Sequence, residues 1–382
     1  MENSFVHLHA HTEYSMLDGA AKIEPFLNRI LELEQPGAAI TDHGNLYGAL
    51  EFYNSAIKKK LKPIIGYEAY VISDSRFERP DRKNNKRYHL TLLAENTVGY
   101  WNLVEMASKA FTEGYYYKPR IDYELLKKYS EGIIALSGCL GGEIAQLLAP
   151  DGSVEEGNQG QTRSFDDALK KAEFYQSIFG ENNFFIELHK HGIKQQEDIL
   201  PDLLKISEKL SAPLVATNDS HYVHSDDASA HDALLCVQTN ATLDDENRFK
   251  FDGSGFYIKS SEEMRDLFPN EKFPDACNNT LKILDRVEYE FEKDTYYLPD
   301  FPIDDSSKNV DEYLKEKVYQ GAESLYGELS SELEERINYE LEVIESMGFA
   351  SYFLIVGDLI NYAKSNGIRT GAGRGSAAGS IV

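Results

Sequence analysis

Three histidines lie two residues apart near the start of the chain, where His7, His9 and His11 alternate with apolar residues. In an extended segment successive side chains point to opposite faces, so the three imidazoles would share one face. Asp18 follows shortly afterwards. Imidazoles grouped with a carboxylate are typical ligands of zinc and related transition metals. The opening segment therefore predicts a metal site.

Further side chains of the ligand type lie at or near the ends of apolar runs. They are His43, Glu68, His89, Cys139, Asp219 and His221. Nitrogen, oxygen and sulfur donors together favour zinc or a similar metal over calcium and magnesium, which prefer shells of oxygen. Any one of these histidines alone would more often be a packed or solvated residue. The prediction therefore depends on the combination.

The composition is that of a globular protein with an acidic surface. The chain has 382 residues, of which 42% are hydrophobic and 12% aromatic, enough for one barrel and part of another domain. Its net charge of -25 argues against nonspecific nucleic-acid binding through the overall field. Any contact with DNA must be local or must involve a metal ion. We interpret the basic segments 58–60 and 76–87 as solvated rather than as a DNA track.

Cysteine usage and hydropathy indicate the compartment. The three cysteines are widely spaced and odd in number, which fits a reducing cytosol better than a disulfide framework. No apolar run approaches the roughly 20 residues of a membrane span, and the first residues do not resemble a secretory signal. We therefore expect a cytoplasmic protein without a membrane partner.

Short apolar runs alternate with helical periodicity through most of the chain. The runs that predict strands are residues 5–11, 37–41, 63–71, 87–94, 132–136, 183–188 and 213–217. Repeated strand-helix units predict an α/β fold with a parallel sheet. Ligand-type residues at the ends of seven strands favour a closed or nearly closed barrel, whose chemistry lies at the carboxyl ends of its strands. An open doubly wound sheet is the alternative, because periodicity alone does not show closure.

The sequence changes character along its length. We interpret the acidic stretch 150–161 as a surface insertion, after which Ser164 and Asp167 predict the start of a helix. Beyond about residue 285, a linker leads into charged helical sequence at 310–345. A glycine-rich turn around residue 375 then has backbone amides of the kind that hold phosphate. The chain stops in mid-pattern, so we expect it to be a truncated part of a longer protein.

Several short motifs follow one another along the chain. They are His9-Ala10-His11-Thr12, Tyr14-Ser15-Met16-Leu17-Asp18-Gly19, Thr41-Asp42-His43-Gly44-Asn45, Gly66-Tyr67-Glu68-Ala69-Tyr70, Ser137-Gly138-Cys139, Ala216-Thr217-Asn218-Asp219 with His221, Tyr352-Phe353-Leu354-Ile355-Val356 and Gly373-Arg374-Gly375-Ser376. In this order they resemble the motifs of the alpha subunits of bacterial DNA polymerase III, the C-family replicative polymerases, and most closely those of the actinobacterial members. The resemblance implies a polymerase-and-histidinol-phosphatase (PHP) domain at residues 1–285, folded as a distorted seven-stranded (β/α) barrel. It also implies the beginning of a nucleotidyltransferase-type polymerase palm, truncated, at residues 286–382.

The resemblance further implies a metal site with nine ligands. They are His9, His11, Asp18, His43, Glu68, His89, Cys139, Asp219 and His221. In the family's partition one ion is held by His9, His11, Glu68 and Asp219, a second by Glu68, His89 and Cys139, and a third by Asp18, His43 and His221. Two or three divalent metals, zinc or manganese, are therefore expected. Asp18, Glu68 and Asp219 would have catalytic roles.

Other histidines lie outside the implied ligand set. Glu187, His189 and His191 repeat the alternation of the first segment, so we expect rim or supporting groups, with His191 the one that touches substrate. His7 is expected to support the neighbouring ligands. His231 is expected to have no role.

An intact ligand set resembles the family members whose PHP domain is itself a metal-dependent 3'-5' exonuclease that proofreads. For the full-length parent, a DNA-directed DNA polymerase, the resemblance implies primer DNA, deoxynucleotides and magnesium. It also implies a sliding clamp and a clamp loader, bound through regions absent here. Arg374, Gly375 and Ser376 would bind the incoming nucleotide, but the family's catalytic aspartates lie beyond them, so this chain alone is not expected to polymerise.

Two alternatives to the exonuclease stay open. The PHP domain could be a structural scaffold that stabilises the polymerase and docks a separate proofreading subunit. It could also be a free-standing phosphoesterase of the histidinol-phosphatase type, against which the palm motifs argue. A pure scaffold would tolerate loss of ligands, so the full set favours catalysis.

Overall fold

The computed structural model describes most of the chain. The described residues are 3–16, 18–81, 84–150, 162–251, 253–291, 297–303, 307–371, 373, 375 and 379–382. Nearly all of the predicted insertion at 150–161 therefore lies outside them, as do Arg374 and Ser376. The chain divides into two compact units, Met1–Glu290 and Phe291–Val382. Each unit is described by itself.

A curled seven-stranded sheet, a half-barrel, forms the centre of the first unit. Its strands are β1 (Gly37–Ile40), β2 (Lys62–Ile72), β3 (Tyr88–Ala94), β4 (Arg120–Asp122), β5 (Ile133–Leu136), β6 (Phe184–Leu188) and β7 (Leu214–Ala216). They are hydrogen-bonded in the order β1-β2-β3-β5-β6-β7, with β4 paired to β2. The helices of this unit are α1 (Ile23–Glu32), α2 (Ala49–Lys58), α3 (Thr97–Thr112), α4 (Tyr123–Lys128), α5 (Glu143–Leu148), α6 (Phe165–Phe179), α7 (Lys194–Leu210), α8 (Ala228–Thr239), α9 (Ser261–Leu267) and α10 (Asn278–Arg286). The predicted α/β barrel fold is confirmed.

All the predicted strands except the first match a strand of this sheet. Residues 5–11 are extended but form only single bridges, from His7 to Ala38 and from Ala10 to Ser220. They thus connect β1 with the segment after β7 without becoming a regular strand. β4 was not predicted, because its three residues include an arginine and an aspartate and give no apolar run.

The direction of β3 differs from the prediction of a parallel sheet. β3 is antiparallel to both β2 and β5, whereas the other neighbouring strands are parallel. The described residues between β2 and β3 form no helix, so the chain doubles back instead of crossing over. The register pairs Tyr70 with His89 and Glu68 with Thr91. The start of β3 therefore lies beside the second half of β2.

Apolar helix faces cover the sheet and bury its central strands. β3 and β5 are buried along their whole length, as expected for strands that are covered on both faces. α1 buries Ile23, Phe26 and Leu27 as its spacing predicts. α2 buries Phe52, Tyr53 and Ala56, whereas its apolar residues Leu50 and Ile57 are exposed.

The second unit contains the helices α11 (Val310–Tyr326), α12 (Ser331–Ser346) and α13 (Ala350–Ser365), in the region predicted to be helical. They pack around a small core that includes Leu314, Ile337 and Leu341. Among the described residues no single helix is long and apolar enough to cross a membrane, and α12 and α13, bent by 116° at their junction, pass that test only as a pair.

The N-terminus of α6 allows a direct test of the predicted helix cap. Ser164 Oγ accepts a hydrogen bond from the Asp167 backbone at 3.2 Å. We predict that Ser164→Ala lowers the free energy of unfolding by about 1 kcal/mol, because the first turn loses a partner for a backbone N–H. Urea denaturation measures this change. Ser177→Ala, an exposed serine on the same helix, is the matched control and should change stability by less than about 0.5 kcal/mol.

Candidate metal centre

The nine predicted ligands meet at one edge of the sheet. β1, β5 and β7 end shortly before His43, Cys139 and Asp219 respectively, and Glu68 lies in the second half of β2. His89 is the second residue of β3. Because β3 is antiparallel to its neighbours, its beginning lies at the edge where they end. Segments distant in sequence thus supply one cluster of side chains.

Glu68 lies at the centre of this cluster. Its side chain is 1% exposed. The Glu68 carboxylate oxygens lie 2.5 Å from His43 Nδ1 and 3.0 Å from His89 Nδ1. They lie 3.5 Å from both His9 Nε2 and Cys139 Sγ. A single buried carboxylate therefore contacts donors from four other segments of the chain.

Asp219 forms a second centre. Its Oδ1 lies 3.0 Å from His11 Nε2, 3.4 Å from His9 Nε2 and 3.7 Å from His221 Nδ1. The backbone of Asp219 has a φ of 41°, in the left-handed region that residues other than glycine seldom adopt. Such strain persists where the surrounding structure enforces it, commonly at functional sites.

Asp18 joins the cluster of predicted ligands through its contact with His43. Asp18 Oδ2 lies 3.2 Å from His43 Nε2, so the His43 ring lies between the carboxylates of Asp18 and Glu68. Ligand atoms of His43, Glu68 and His89 lie within 4.8 Å of one another, and so do those of His11, His43 and His221. His43 is therefore close to two groups of ligands. The partition of the nine residues among ions stays a prediction.

Some buried polar atoms in the cluster make no hydrogen bond within the described part of the chain, among them Nε2 of His221 and Oδ1 of Asp18. Nearly all buried polar atoms in proteins have a partner, so each of these two requires one. Imidazole, carboxylate and thiol donors at such distances suit a divalent transition metal. The residues present therefore fit the metal centre that the sequence predicts.

Opposite charges shift the pKa values of the central groups. Burial raises the pKa of Glu68, but the imidazoles of His89 and His43 outweigh burial and hold it well below its ordinary value. Burial lowers the pKa of His43, yet the carboxylates of Asp18 and Glu68 raise it to about 10. The carboxylates thus attract positive charge, which protons or metal ions can supply.

The pKa of the Cys139 thiol is shifted towards the neutral, protonated form. Burial, with the nearby Glu68 carboxylate, raises the pKa of this thiol to about 11. The thiolate is the form that binds metals. Cys139 must therefore lose a proton before its sulfur can be a ligand, so we infer that metal binding releases a proton here.

Glu187 supports His9 from behind. Its carboxylate lies 2.7 Å from His9 Nδ1 and 3.0 Å from His189 Nε2, and it accepts hydrogen bonds from Thr217 Oγ1 at 2.6 Å and the Gly138 backbone at 2.9 Å. A carboxylate on the remote nitrogen fixes the orientation of a ligating histidine. The predicted supporting role is confirmed for Glu187, which is fully buried rather than at the rim. The alternation from 187 to 191 was the signal for it.

His191 does not match its prediction. Its Nε2 lies 2.9 Å from the Asn218 carbonyl and its Nδ1 2.9 Å from Gln196 Nε2. The ring also stacks on Phe256 at 4.1 Å between centroids. Both nitrogens are occupied, so the expectation that His191 touches substrate is wrong. The alternation of residues in the sequence does not show that the His191 ring packs in the interior of the protein.

Two more histidines differ from their predictions. His7 Nε2 lies 2.9 Å from the Lys259 carbonyl, so His7 does not hydrogen-bond to a ligand residue as expected. His231, which was expected to have no role, places its Nε2 2.7 Å from the Asp18 carbonyl. It therefore helps to position Asp18. This contact depends on the packing of α8 beside the turn that contains Asp18. A local sequence pattern does not show such packing.

Asp42 supports the site, although the sequence did not predict this role. Its carboxylate accepts hydrogen bonds from the Thr12 backbone at 2.6 Å, Thr12 Oγ1 at 2.8 Å and Ser15 Oγ at 2.8 Å. These bonds hold the turn that leads to Asp18. Asp42 lies between two motif residues, but nothing in its spacing distinguished a supporting carboxylate from a ligand.

The predicted nucleotide contacts lie in the second unit. Gly375 is exposed and has a φ of 82°, a left-handed conformation that glycine adopts readily. Arg374 and Ser376 lie outside the described residues. Nucleotide binding by these three residues stays a prediction.

Comparisons with known proteins match two families along the chain. The PHP domain family matches residues 7–191, and the family described as the bacterial DNA polymerase III alpha NTPase domain matches residues 312–382. A DNA polymerase III subunit alpha from Borreliella burgdorferi is 44% identical over 380 residues, which cover 99% of this chain and 32% of that protein. One from Mycobacterium tuberculosis is 46% identical over 397 residues, which cover 100% of this chain and 32% of that protein.

The chain spans about a third of the length of these curated relatives. Among solved structures, an amidohydrolase from Chromobacterium violaceum is 13% identical with a TM-score of 0.36, and the match covers 57% of this chain and 88% of that one. The sequence similarity extends over the whole chain and includes both of its family matches. The chain belongs to the family of bacterial DNA polymerase III alpha subunits, and it contains the family's PHP domain followed by the beginning of its NTPase domain.

Proposed function

We propose that the PHP domain is a metal-dependent 3'-5' exonuclease that proofreads for a replicative DNA polymerase. The observation that carries this proposal is the connected cluster of nine ligand-type side chains, in which every predicted position holds a competent donor. The proposed reaction is hydrolysis of the 3'-terminal phosphodiester. Water attacks the phosphorus, the bond to the 3' oxygen of the preceding nucleotide breaks, and a nucleoside 5'-monophosphate leaves.

The nine side chains would hold divalent ions, zinc or manganese. Such ions activate water and neutralise the charge of a phosphodiester in hydrolases of this kind. Asp18 and Asp219 are 15% and 14% exposed, whereas Glu68 is 1% exposed. Substrate therefore approaches from the side of Asp18 and Asp219, which orient the attacking water and accept its proton, while Glu68 holds the imidazoles beneath.

The remaining domains of the full-length protein would catalyse DNA polymerisation. Membership of the polymerase III alpha family supports DNA, deoxynucleotides and magnesium as the ligands of the full-length protein. A sliding clamp and a clamp loader would be partners through regions outside this chain. Arg374, Gly375 and Ser376 are the proposed contacts to the incoming nucleotide.

A structural scaffold is the second candidate function. The cluster draws its donors from segments that follow or belong to β1, β2, β3, β5 and β7, so ions there would also tie these strands together. However, a purely structural centre has no need of access to substrate. His43, Asp18 and Asp219 keep side-chain exposures of 17%, 15% and 14%, which favours catalysis.

We predict that Asp219→Asn reduces exonuclease activity at least about a hundredfold, the lower end of the range for loss of a side chain that takes up a proton in the transition state. The amide keeps the shape of Asp219 but removes the charge beside His9 and His11. Release of the 3'-terminal nucleotide from a primed DNA, with and without chelator, measures the effect.

Asp226→Asn is the matched control, because Asp226 is an exposed aspartate a few residues away. It should retain full activity. Chelator-sensitive cleavage that is lost only in Asp219→Asn supports the exonuclease. A chain that binds its metals and cleaves nothing would instead favour the scaffold.

We also predict that Glu187→Gln weakens metal binding about 10- to 100-fold. The substitution removes the negative charge of Glu187 beside His9 Nδ1 and leaves the volume of the side chain nearly unchanged. Competition with a chromogenic chelator measures the affinity. Glu197→Gln, an exposed glutamate on α7, is the control, and an equal effect of both variants would contradict the supporting role of Glu187.

A further inference from the structure

Four exposed aromatic residues lie in two stretches of the first unit, one at Tyr47 and one between Phe111 and Tyr117. Tyr47, Phe111, Tyr115 and Tyr117 are 58%, 37%, 53% and 58% exposed. The ring centroids of Tyr47 and Phe111 are 6.0 Å apart, and those of Phe111 and Tyr115 are 6.1 Å apart with nearly parallel planes. We call these four residues the aromatic platform. Contiguous exposed apolar surface of this kind marks a binding site more often than chance.

Tyr47 and Lys118 link the aromatic platform to the candidate metal centre. Tyr47 follows His43 by four residues. The ring of Tyr70 lies 6.2 Å from that of His43 and 5.2 Å from that of His89. Lys118 Nζ, one residue beyond Tyr117, lies 5.2 Å from the centroid of the Tyr70 ring. The same short segment thus contributes to the aromatic platform and contacts Tyr70, whose ring lies beside two of the predicted ligands.

The backbone of this segment is held in a strained conformation. Tyr117 has a φ of 62°, which is uncommon for a bulky residue. Its neighbour Tyr116 is fixed, because its hydroxyl donates to the Pro80 carbonyl at 2.8 Å and the guanidinium groups of Arg79 and Arg120 lie 5.6 and 5.2 Å from its ring. The fold therefore enforces a conformation in which the Tyr117 ring is presented to solvent, as is common at ligand sites.

Two basic side chains, Arg79 and Lys118, lie on or against the segment that carries Tyr115 and Tyr117, although the chain has a net charge of -25. Within the described residues, Arg79, Lys118 and Arg120 form no ion pair. Arg79 donates to the carbonyls of Arg76, Glu78 and Glu113. Arg120 is buried and donates to backbone carbonyls and an amide oxygen, so it holds the segment in place. Arg79, which belongs to the basic segment 76–87, is exposed and lies against the same segment through the Glu113 carbonyl.

We propose that the aromatic platform binds the single-stranded 3' end of DNA and leads it to the metal centre. Bases would stack on Tyr47, Phe111 and Tyr115, with phosphates near Arg79 and Lys118. Aromatic faces accept any base and cations follow the backbone, so binding would have little sequence preference. Paired bases of a duplex are not free to stack in this way. The inference rests on the proposed exonuclease function and names the surface that would guide the strand to that site.

Binding of a short oligothymidylate tests this proposal. The probe has a fluorescent 5' label and phosphorothioate linkages at its 3' end, so that it resists cleavage. We expect Tyr115→Leu to weaken binding about 5- to 100-fold, the range for loss of one stacked base, while Tyr115→Phe retains the affinity. Trp101→Leu is the matched control, because Trp101 is 60% exposed on α3 but is not part of the aromatic platform. It should leave the affinity unchanged.

The dependence on salt gives a second readout. Lys118→Ala should reduce the slope of log affinity against log salt concentration by about 0.7, the contribution of one phosphate contact to a single strand. Equal affinities of Tyr115→Leu and the unaltered chain would overturn the proposal, as would a lack of measurable binding by the unaltered chain. Because the probe is not cleaved, either result is distinct from failure of the exonuclease, which the Asp219→Asn comparison detects.

Discussion

A buried carboxylate surrounded by imidazoles is the interaction on which the first unit depends. Glu68 lies at the centre of the cluster and is 1% exposed. An isolated negative charge in such a buried place would be strongly destabilising. His43 and His89 bring compensating charge from two other segments. The same contacts therefore position the site and hold the ends of neighbouring strands together. They also create a place where cations are favoured over solvent.

The reversed direction of β3 connects the fold with this chemistry. In a wholly parallel sheet the first residues of β3 would lie at the edge opposite the other ligands, and His89 could not reach Glu68. The antiparallel register pairs His89 with Tyr70 instead. The loop after β5 reaches the same place because Gly138 allows close approach: a Cβ there would lie 2.5 Å from the His89 carbonyl oxygen. Backbone direction and one glycine thus bring Cys139 to the cluster.

The sequence predicted those features that have a local cause. Buried strands appeared as short apolar runs, and the ligands appeared as polar side chains at their ends. The direction of β3, the bridges of residues 5–11 and the role of Asp42 depend on contacts between segments distant in the chain. Asp42 acts through Thr12 and Ser15, neither of which is near it in sequence. The ligand set itself came from a resemblance to a family, since spacing alone left each histidine ambiguous.

The central claim is that one buried cluster binds several metal ions, with Glu68 as a shared ligand. Crystals of the chain grown with zinc or manganese, measured at the absorption edge of the metal, test it most directly. The account predicts more than one anomalous peak among the nine side chains, with Glu68 within bonding distance of two of them. A single peak away from Glu68, or no peak in a fully folded chain at neutral pH, would contradict it.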